Sequence, residues 1–302
     1  MTKIATRTIV VVLYPNAFME EAMSSDHTGR VVPVRAYDGA VDDLQAGFPG
    51  PRQLIDVDHP ARAFIHSAER FSPALDAFNG ACLVIAEFEP AGFSAEHVGN
   101  SDWPACIRAS VPHRQCEFFA GRWAACRAMA SMGVHTAGML AIGQHRQPLW
   151  PESIRGSITH ASHHVAAIAG HAGGVAGVGI DLESIVDPHT ADDLATQAVD
   201  ADEISMLRRS DLPWLTAITL AFSIKESFFK AAYASVGDYF GFDSVRIVAV
   251  NAASARVTLR IESTLAPSLC SGRELSAQFA FIEPSLLLTA IAIQEHVKIS
   301  AN

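Results

Sequence analysis

The second half of the sequence places one long apolar helix between strands, and this order limits the fold most. From about Trp214 to Ser235 the chain is hydrophobic nearly all round at helical length, which is typical of a helix buried on several sides. A strand is predicted before it, from about Val175 to Glu183, and short helices near 191–199 and 202–208. Four later stretches are rich in β-branched or apolar residues and are separated by polar turns: 244–250, 255–261, 274–282 and 286–293. The order predicts an α+β unit in which the helix packs on a small antiparallel sheet.

The preceding segment repeats this order of elements. A buried strand is predicted at 82–86, and a helix from about Val111 to Met132 with Ser110 as its N-cap and Gly133 as its stop. Short strands are predicted at 137–142 and at 157–169, the latter interrupted near residues 160–163. The chain is therefore expected to contain two similar α+β halves, although the sequence shows no clear internal repeat.

The first 72 residues differ from the rest. They hold one strand-like run, Thr8–Leu13, and dense turn signals such as those of residues 47–51 and 56–60. We expect residues 1–72 to form an N-terminal extension whose role the sequence does not reveal.

Composition excludes several classes of protein. The chain of 302 residues carries 22 Lys and Arg against 32 Asp and Glu, a formal net charge of −10, and no basic run, so no nucleic-acid partner is expected. No stretch approaches the roughly 20 apolar residues of a membrane-spanning helix, and the run Ile9–Leu13 is too short for the core of a signal peptide. The five cysteines contain no C-x-x-C pair. We expect a cytoplasmic protein with reduced thiols and no membrane partner.

Two carboxylates on one strand form the first candidate site. Alternate side chains of a strand share a face, so Asp181 and Glu183 point to the same side as Gly177 and Gly179. The two acids lie roughly 7 Å apart by strand rise, beside glycines that let a ligand approach the backbone. This arrangement suits a hard divalent cation that also holds a phosphate. The alternative is a strand end at which both acids are simply hydrated.

Three charged residues on the apolar helix form the second candidate site. Glu226 and Lys230 are four residues apart and therefore neighbours on one face, a spacing that is also common in ordinary surface pairs. Because unpaired charges are expensive to bury, Lys225, Glu226 and Lys230 are expected to line a cavity on this apolar helix. There a carboxylate and lysines would bind metal and phosphate together.

Two arginines form a basic counterpart. Arg114 and Arg122 are eight residues apart on the predicted helix, an offset of about 80° that places them on one broad face about 12 Å apart. They are candidates to clamp two ends of a phosphorylated ligand, because the planar guanidinium suits phosphate. Two solvent-exposed arginines are the ordinary alternative. His160 is either a further donor to the ligand or a structural histidine.

Taken in order, these segments resemble the phosphopantetheinyl transferases of the surfactin-synthetase and enterobactin-synthetase activating type. The matching stretches are Arg114–Arg122, Trp150–His160, Gly179–Glu183 and Phe222–Lys230. Together they cover about residues 75–297. Members of the family have two similar α+β halves with the active site in the cleft between them. The resemblance therefore implies a first half over residues 73–173 and a second half over residues 174–302, with a hinge at His171–Gly174.

The resemblance also implies an activity. Members transfer the 4′-phosphopantetheine arm of coenzyme A to a serine of an apo acyl or peptidyl carrier protein, with Mg²⁺, and leave adenosine 3′,5′-bisphosphate. Such carriers serve siderophore, polyketide or nonribosomal peptide biosynthesis. By resemblance, Asp181, Glu183 and Glu226 hold Mg²⁺, Glu226 is also the base, and Lys230 stabilises phosphate charge. The residues implied to contact coenzyme A are Arg114, Arg122, Thr159, His160, Lys225 and Lys230. A monomer is implied because one chain supplies both halves of the cleft.

Two other functions remain open from the residues alone. A Mg²⁺-dependent phosphodiesterase acting on a nucleotide pyrophosphate would use water instead of a serine, and a non-catalytic binding protein would keep the cleft without turnover. The sequence also departs from the family pattern. His145–Pro148 stands where some relatives have a lysine shortly before the Trp-Pro segment, so either His145 or Arg146 is a candidate to meet the phosphates there, and His113 stands where a lysine or arginine is common. A histidine at either place is expected to make the affinity for coenzyme A more sensitive to pH.

Overall fold

The structure is a computed structural model that describes residues 48–76, 78–98 and 103–295. The strand predicted over residues 8–13 lies outside these residues. Within them, no helix combines the length and the apolar character needed to cross a membrane.

Five antiparallel strands form the sheet of the first half. They are β1 (Arg52–Leu54), β2 (Ile65–Phe71), β3 (Cys82–Phe88), β4 (Ile154–Ala161) and β5 (His164–His171). Their spatial order is β1-β2-β3-β5-β4, so β4 lies at an edge. The predicted break in the strand over 157–169 is a tight turn at Ser162 and His163, in which Ser162 has a φ of 50°.

Two of these strands come from the segment that the sequence assigned to an extension. β2 pairs with β3 over most of its length, and Phe64, Ile65 and Phe71 are buried. β2 has only seven residues and is flanked on both sides by turn-forming residues, so the sequence pattern did not predict it as a strand. We therefore propose that the first half begins near residue 48 and not at residue 73.

Among the described residues of the first half there are two α-helices, and the longer one packs on the sheet. They are α1 (Ala105–Arg108) and α2 (Pro112–Ala130). The predicted N-cap of α2 is wrong: Val111 occupies that position without a side-chain cap, and a proline follows it, where the missing N–H costs no helical hydrogen bond. Ser110 Oγ instead donates to Ile107 O at 2.7 Å. Gly133, just beyond the helix, has a left-handed φ of 78°, as a helix stop requires.

The strand predicted at 137–142 does not form in the described part of the chain. This segment contains only an isolated bridge between Ile142 and Pro148. Thr136 Oγ1 donates to Gly138 O at 2.7 Å, a local side-chain bond that favours a turn over an extended strand.

Up to residue 295, the second half consists of one sheet, three α-helices and one short 3-10 helix. Its strands are β6 (Val175–Ser184), β7 (Val245–Asn251), β8 (Arg256–Ile261), β9 (Glu274–Glu283) and β10 (Leu286–Gln294). Its helices are α3 (Pro188–Gln197), α4 (Ala201–Leu207) and α5 (Trp214–Val236). The spatial order is β6-β10-β9-β8-β7, all antiparallel, which confirms the predicted meander and leaves β6 at an edge.

Two glycines allow α5 to lie directly on β6. A Cβ added at Gly177 would lie 1.9 Å from Ala231 O, and one added at Gly179 would lie 1.9 Å from Ser227 O. The sequence assigned these glycines to the approach of a ligand, but the group that approaches is the backbone of α5. This contact brings Glu226 and Lys230 of α5 against the acidic face of β6.

The edge strands of the two sheets, β4 and β6, lie side by side and form a seam. Ser157 Oγ accepts a hydrogen bond from Ile180 N at 3.1 Å, and Thr159 Oγ1 accepts one from Leu182 N at 3.1 Å. Side-chain hydroxyls thus satisfy backbone donors of an edge strand that has no ladder partner on this side. The seam places the end of β4 beside the acidic residues of β6.

Candidate active site

Four of the predicted site residues meet where α5 crosses β6, and we call them the acidic cluster: Asp181, Glu183, Glu226 and Lys230. Lys230 Nζ lies 2.5 Å from Asp181 Oδ1 and donates to Ile180 O at 3.2 Å. Asp181 is 4% exposed and Glu226 is 9% exposed. The alternation along the strand and the spacing on the helix therefore lead to one site.

Burial and mutual repulsion control the charges of the acidic cluster. Burial raises the pKa of Glu226 to about 7; Lys230 opposes this rise and Asp181 adds to it. Burial, Asp181 and Glu226 raise the pKa of Glu183 well above its ordinary value. Burial alone would lower the pKa of Lys230, but the three carboxylates outweigh it and raise that pKa. One lysine therefore does not balance three carboxylates.

The chemistry of the acidic cluster fits a divalent cation. Asp181 Oδ2 and Glu226 Oε1 are buried without a hydrogen-bond partner. Such acceptors cost free energy unless they are paired, and hard cations such as Mg²⁺ prefer carboxylate oxygens. Lys230 occupies the other oxygen of Asp181. The described residues include no set of three His, Cys, Asp or Glu side chains that is already arranged around a metal position. The fit to a divalent cation therefore rests on the two unpaired carboxylate oxygens, because a complete set of ligands is not yet in place.

Thr159 contacts the acidic cluster from β4. Its hydroxyl donates to Asp181 Oδ1 at 3.1 Å while it accepts from Leu182 N, and it lies 3.4 Å from Lys230 Nζ. This threonine therefore orients the carboxylate of Asp181 from the other side of the seam.

Arg114 and His160 form a second group around Glu117. Arg114 Nη1 lies 2.9 Å from Glu117 Oε2 and donates to His160 Nε2 at 2.8 Å. His160 Nδ1 lies 3.4 Å from Glu117 Oε1, and His113 Nε2 lies 3.1 Å from the same oxygen. Burial lowers the pKa of His160 to about 4, with Glu117 opposing and the cations Arg114 and Lys230 adding. His160 is therefore neutral near pH 7 and accepts from the arginine.

Glu117 was not predicted from the sequence as a site residue. Its signal is the spacing of three and four residues from Arg114 and His113, which places all three side chains on one helix face.

Arg122 lies deeper than the predicted clamp requires. It is 7% exposed, its Nε donates to Leu140 O at 3.0 Å, and its guanidinium carbon lies 4.7 Å from the centre of the Phe118 ring. Burial lowers its pKa to about 10, and the charge of Arg114 adds to this effect. The two arginines thus influence each other electrostatically although Arg122 packs in the core of the first half.

Lys225 lies away from the acidic cluster. It is 2% exposed, pairs with Glu203 Oε1 at 2.9 Å and donates to Phe242 O at 3.3 Å. Successive residues of a helix are about 100° apart, so when Glu226 faces β6 its neighbour faces elsewhere. The structure places Lys225 in the core beside α4 and not in the site expected to bind coenzyme A.

An aromatic group lies on and beside α5, about one helical turn beyond Lys230. His145 Nδ1 contacts the hydroxyl of Tyr233, and its ring centre lies 5.5 Å from that of Tyr239. Phe229 stacks on Tyr239 with ring centres 5.9 Å apart. The loop of the first half that carries His145 thus reaches the end of α5. Neither tyrosine was predicted from the sequence, although Tyr233 follows Lys230 at helical spacing.

Two surface pockets of about 410 and 400 Å³ lie outside these groups. The first is at the turn between β4 and β5, and the second is beside the C-terminal half of α2. Neither is lined by any site residue predicted from the sequence.

Family models match both halves of the chain. The 4′-phosphopantetheinyl transferase N-terminal domain matches residues 103–170, and the 4′-phosphopantetheinyl transferase superfamily matches residues 177–280. The second match includes every residue of the acidic cluster.

This chain matches most of the length of several curated relatives. Enterobactin synthase component D of Salmonella typhi is 37% identical over 175 residues, which are 58% of this chain and 72% of that protein. The 4′-phosphopantetheinyl transferase Svp of Streptomyces mobaraensis is 32% identical over 197 residues, 63% of this chain and 76% of that protein. The 4′-phosphopantetheinyl transferase PptT of Mycobacterium tuberculosis is 32% identical over 146 residues, 47% of this chain and 61% of that protein.

Proposed function

Because the chain belongs to the 4′-phosphopantetheinyl transferase superfamily, we propose that its acidic cluster carries out a Mg²⁺-dependent transfer that leaves adenosine 3′,5′-bisphosphate. The chain is an enzyme that transfers the phosphopantetheine group of coenzyme A to carrier proteins. The homologues' names agree with a role in siderophore, polyketide or nonribosomal peptide biosynthesis. The observation that carries the proposed mechanism is the meeting of three carboxylates and Lys230 at the seam between the halves.

Asp181, Glu183 and Glu226 would hold the cation. When bound, Mg²⁺ neutralises charge on the pyrophosphate of coenzyme A. The raised pKa of Lys230 keeps its ammonium charged, and this group stabilises the phosphate oxygens during transfer. Thr159 holds Asp181 in place by the hydrogen bond across the seam.

Glu226 is the proposed base for the carrier serine. A serine hydroxyl is a poor nucleophile at neutral pH, so a carboxylate that accepts its proton contributes to the rate. Glu226 has one buried oxygen without a hydrogen-bond partner, which is available to a hydroxyl or to the cation.

Arg114 and His160 are the proposed contacts of the 3′-phosphate of coenzyme A, with Arg122 as a deeper positive charge behind them. The side chain of Arg114 is 40% exposed and its partner Glu117 holds it beside His160. Guanidinium groups recognise phosphate by paired hydrogen bonds, and the neutral imidazole adds a polar contact. We propose no contact for Lys225, because its ammonium is already paired in the core.

We further propose a cytoplasmic monomer without nucleic-acid or membrane partners, since one chain supplies both halves of the seam. The halves are proposed to divide near residues 173 and 174. The comparisons give no support to a phosphodiesterase acting on a nucleotide pyrophosphate.

Intact-protein mass spectrometry tests the proposed function. Apo carrier proteins are incubated with the enzyme, coenzyme A and Mg²⁺, beside a chelated sample, Glu226→Gln and the matched control Glu274→Gln, an exposed carboxylate on β9. We expect a phosphopantetheine mass gain for the wild type and the control, and none for Glu226→Gln or the chelated sample. Release of adenosine 3′,5′-bisphosphate without a carrier would support the phosphodiesterase instead, and full activity of Glu226→Gln would contradict the assigned role.

A further inference from the structure

Three fully buried hydroxyl groups meet in the core between α5 and β10. Ser223 and Ser227 are on α5 and Thr289 is on β10, and none of the three is exposed to solvent. Thr289 Oγ1 donates to Ser223 O at 3.1 Å and lies 2.8 Å from Ser223 Oγ and 2.7 Å from Ser227 Oγ. One donor and two acceptors are all that a hydroxyl offers, so Thr289 is saturated by these contacts. We call the three residues the hydroxyl clamp.

The hydroxyl clamp lies at the level of the proposed cation ligands. Thr289 is the strand partner of Asp181, so both side chains lie on the face of the sheet that α5 covers. Ser227 follows Glu226 directly, and its carbonyl oxygen fills the space above Gly179, two residues before Asp181. The clamp therefore fixes α5 against β6 and β10 at the point where the two sets of carboxylates meet.

We propose that Thr289 is a positioning residue that, through the hydroxyl clamp, sets the distance between Glu226 and the acids of β6. The inference rests on the proposed function, because it takes Asp181, Glu183 and Glu226 as ligands of a divalent cation. Apolar contacts allow a helix to slide on a sheet, whereas hydrogen bonds have a defined length and direction. Ligands on two separate elements need their spacing held within about 0.5 Å, and the clamp supplies this restraint.

The test compares Thr289→Val, which has nearly the same shape but no hydroxyl, with Thr289→Ser, which keeps it. Thr216→Val is the matched control, because Thr216 is another buried threonine on α5, ten residues before Glu226. Mn²⁺ binding is measured by electron paramagnetic resonance on the protein alone, and the Mg²⁺ concentration for half-maximal transfer is measured separately. For Thr289→Val we expect the dissociation constant for Mn²⁺ and the Mg²⁺ concentration for half-maximal transfer each to rise about tenfold. This is the size of effect seen when residues that support metal ligands are changed. The KM for coenzyme A at saturating Mg²⁺ should be unchanged, and Thr289→Ser and Thr216→Val should behave as the wild type.

Unchanged Mn²⁺ affinity in folded Thr289→Val would overturn the inference, and so would an equal loss in Thr216→Val, which would indicate general destabilisation. If Thr289→Val does not fold, Ser227→Ala removes one member of the hydroxyl clamp and should still weaken Mn²⁺ binding. The Mn²⁺ titration needs no carrier and no turnover. A wild type that binds Mn²⁺ but modifies no carrier would therefore refute the proposed function alone, whereas a wild type without Mn²⁺ binding would overturn the inference as well.

Discussion

Replacing Lys225 with methionine separates two roles for a lysine that stands next to the proposed base. The family resemblance implies a contact with coenzyme A, whereas the structure pairs Lys225 with Glu203 in the core. Burial lowers the pKa of Lys225, and the carboxylate of Glu203 opposes this effect by stabilising the charged ammonium. Methionine keeps the length and the apolar stem of the side chain but leaves Glu203 without its countercharge.

The expected cost follows from the contacts that remain. Removing one partner of a buried ion pair destabilises proteins by about 3–5 kcal/mol, because an uncompensated charge stays in the core. Glu203 still accepts hydrogen bonds from Ile247 N at 2.8 Å and Asp200 N at 3.0 Å, which favours the lower end of this range. At 2–4 °C per kcal/mol for a domain of this size, the melting temperature should fall by about 10 °C.

Thermal denaturation and the KM for coenzyme A, measured well below the transition, distinguish the two roles. We expect Lys225→Met to lower the melting temperature with little change in KM, and addition of Glu203→Gln to recover part of the loss by removing the unpaired charge. Lys230→Met on the same helix is the contrasting variant and should abolish transfer. An unchanged melting temperature together with a raised KM in Lys225→Met would refute this reasoning and restore the contact with coenzyme A.

Three further predictions follow from the site. Gly179→Ala would bring a Cβ against Ser227 O, which cannot move unless α5 moves with it. We expect the free energy of unfolding in urea to fall by about 1–3 kcal/mol and Mn²⁺ binding to weaken. An unchanged free energy of unfolding would contradict this prediction. The pKa of His160 is about 4 when folded and about 6.5 when unfolded, so the unfolded chain takes up a proton first as the pH falls. The free energy of unfolding should therefore decline by up to about 3 kcal/mol between pH 6.5 and pH 4. In His160→Asn the free energy of unfolding should depend less on pH over this range. If the wild type and the variant lost stability in parallel, His160 would not be a buried neutral histidine. Arg114→Gln should raise the KM for coenzyme A more than that for dephospho-coenzyme A, and equal changes would exclude the contact with the 3′-phosphate.

The sequence predicts the second half well because its patterns are local. The strands from β7 to β10 begin and end within two residues of their predicted bounds, since β-branched runs and polar turns alternate there without ambiguity. Asp181 and Glu183 share a face by the alternation of a strand, and Glu226 and Lys230 by the spacing of a helix. Only the crossing of α5 over β6 was needed to bring these two pairs together.

Other features depend on contacts between distant segments and escape sequence patterns. The role of Gly179 depends on a carbonyl oxygen 48 residues later in the chain, at Ser227. Similarly, nothing near Lys225 in the sequence indicates Glu203, whose carboxylate also belongs to the capping box of α4. A glycine beside acids and a lysine beside a glutamate both have the pattern of a ligand site, yet each serves the packing of α5.

The three charged residues of the apolar helix α5 are therefore neutralised in two different ways. Lys225 is neutralised within the protein by one carboxylate, and this pair is closed to ligands. On the opposite side, Lys230 faces Asp181, Glu183 and Glu226, so the cluster with all four groups ionised carries a net charge of −2. Two carboxylate oxygens there have no hydrogen-bond partner. A divalent cation would neutralise a charge of −2 and would accept the unpaired carboxylate oxygens as ligands. We therefore propose that the same helix that pairs Lys225 in the core leaves the acidic cluster open to a cation and a phosphate ligand.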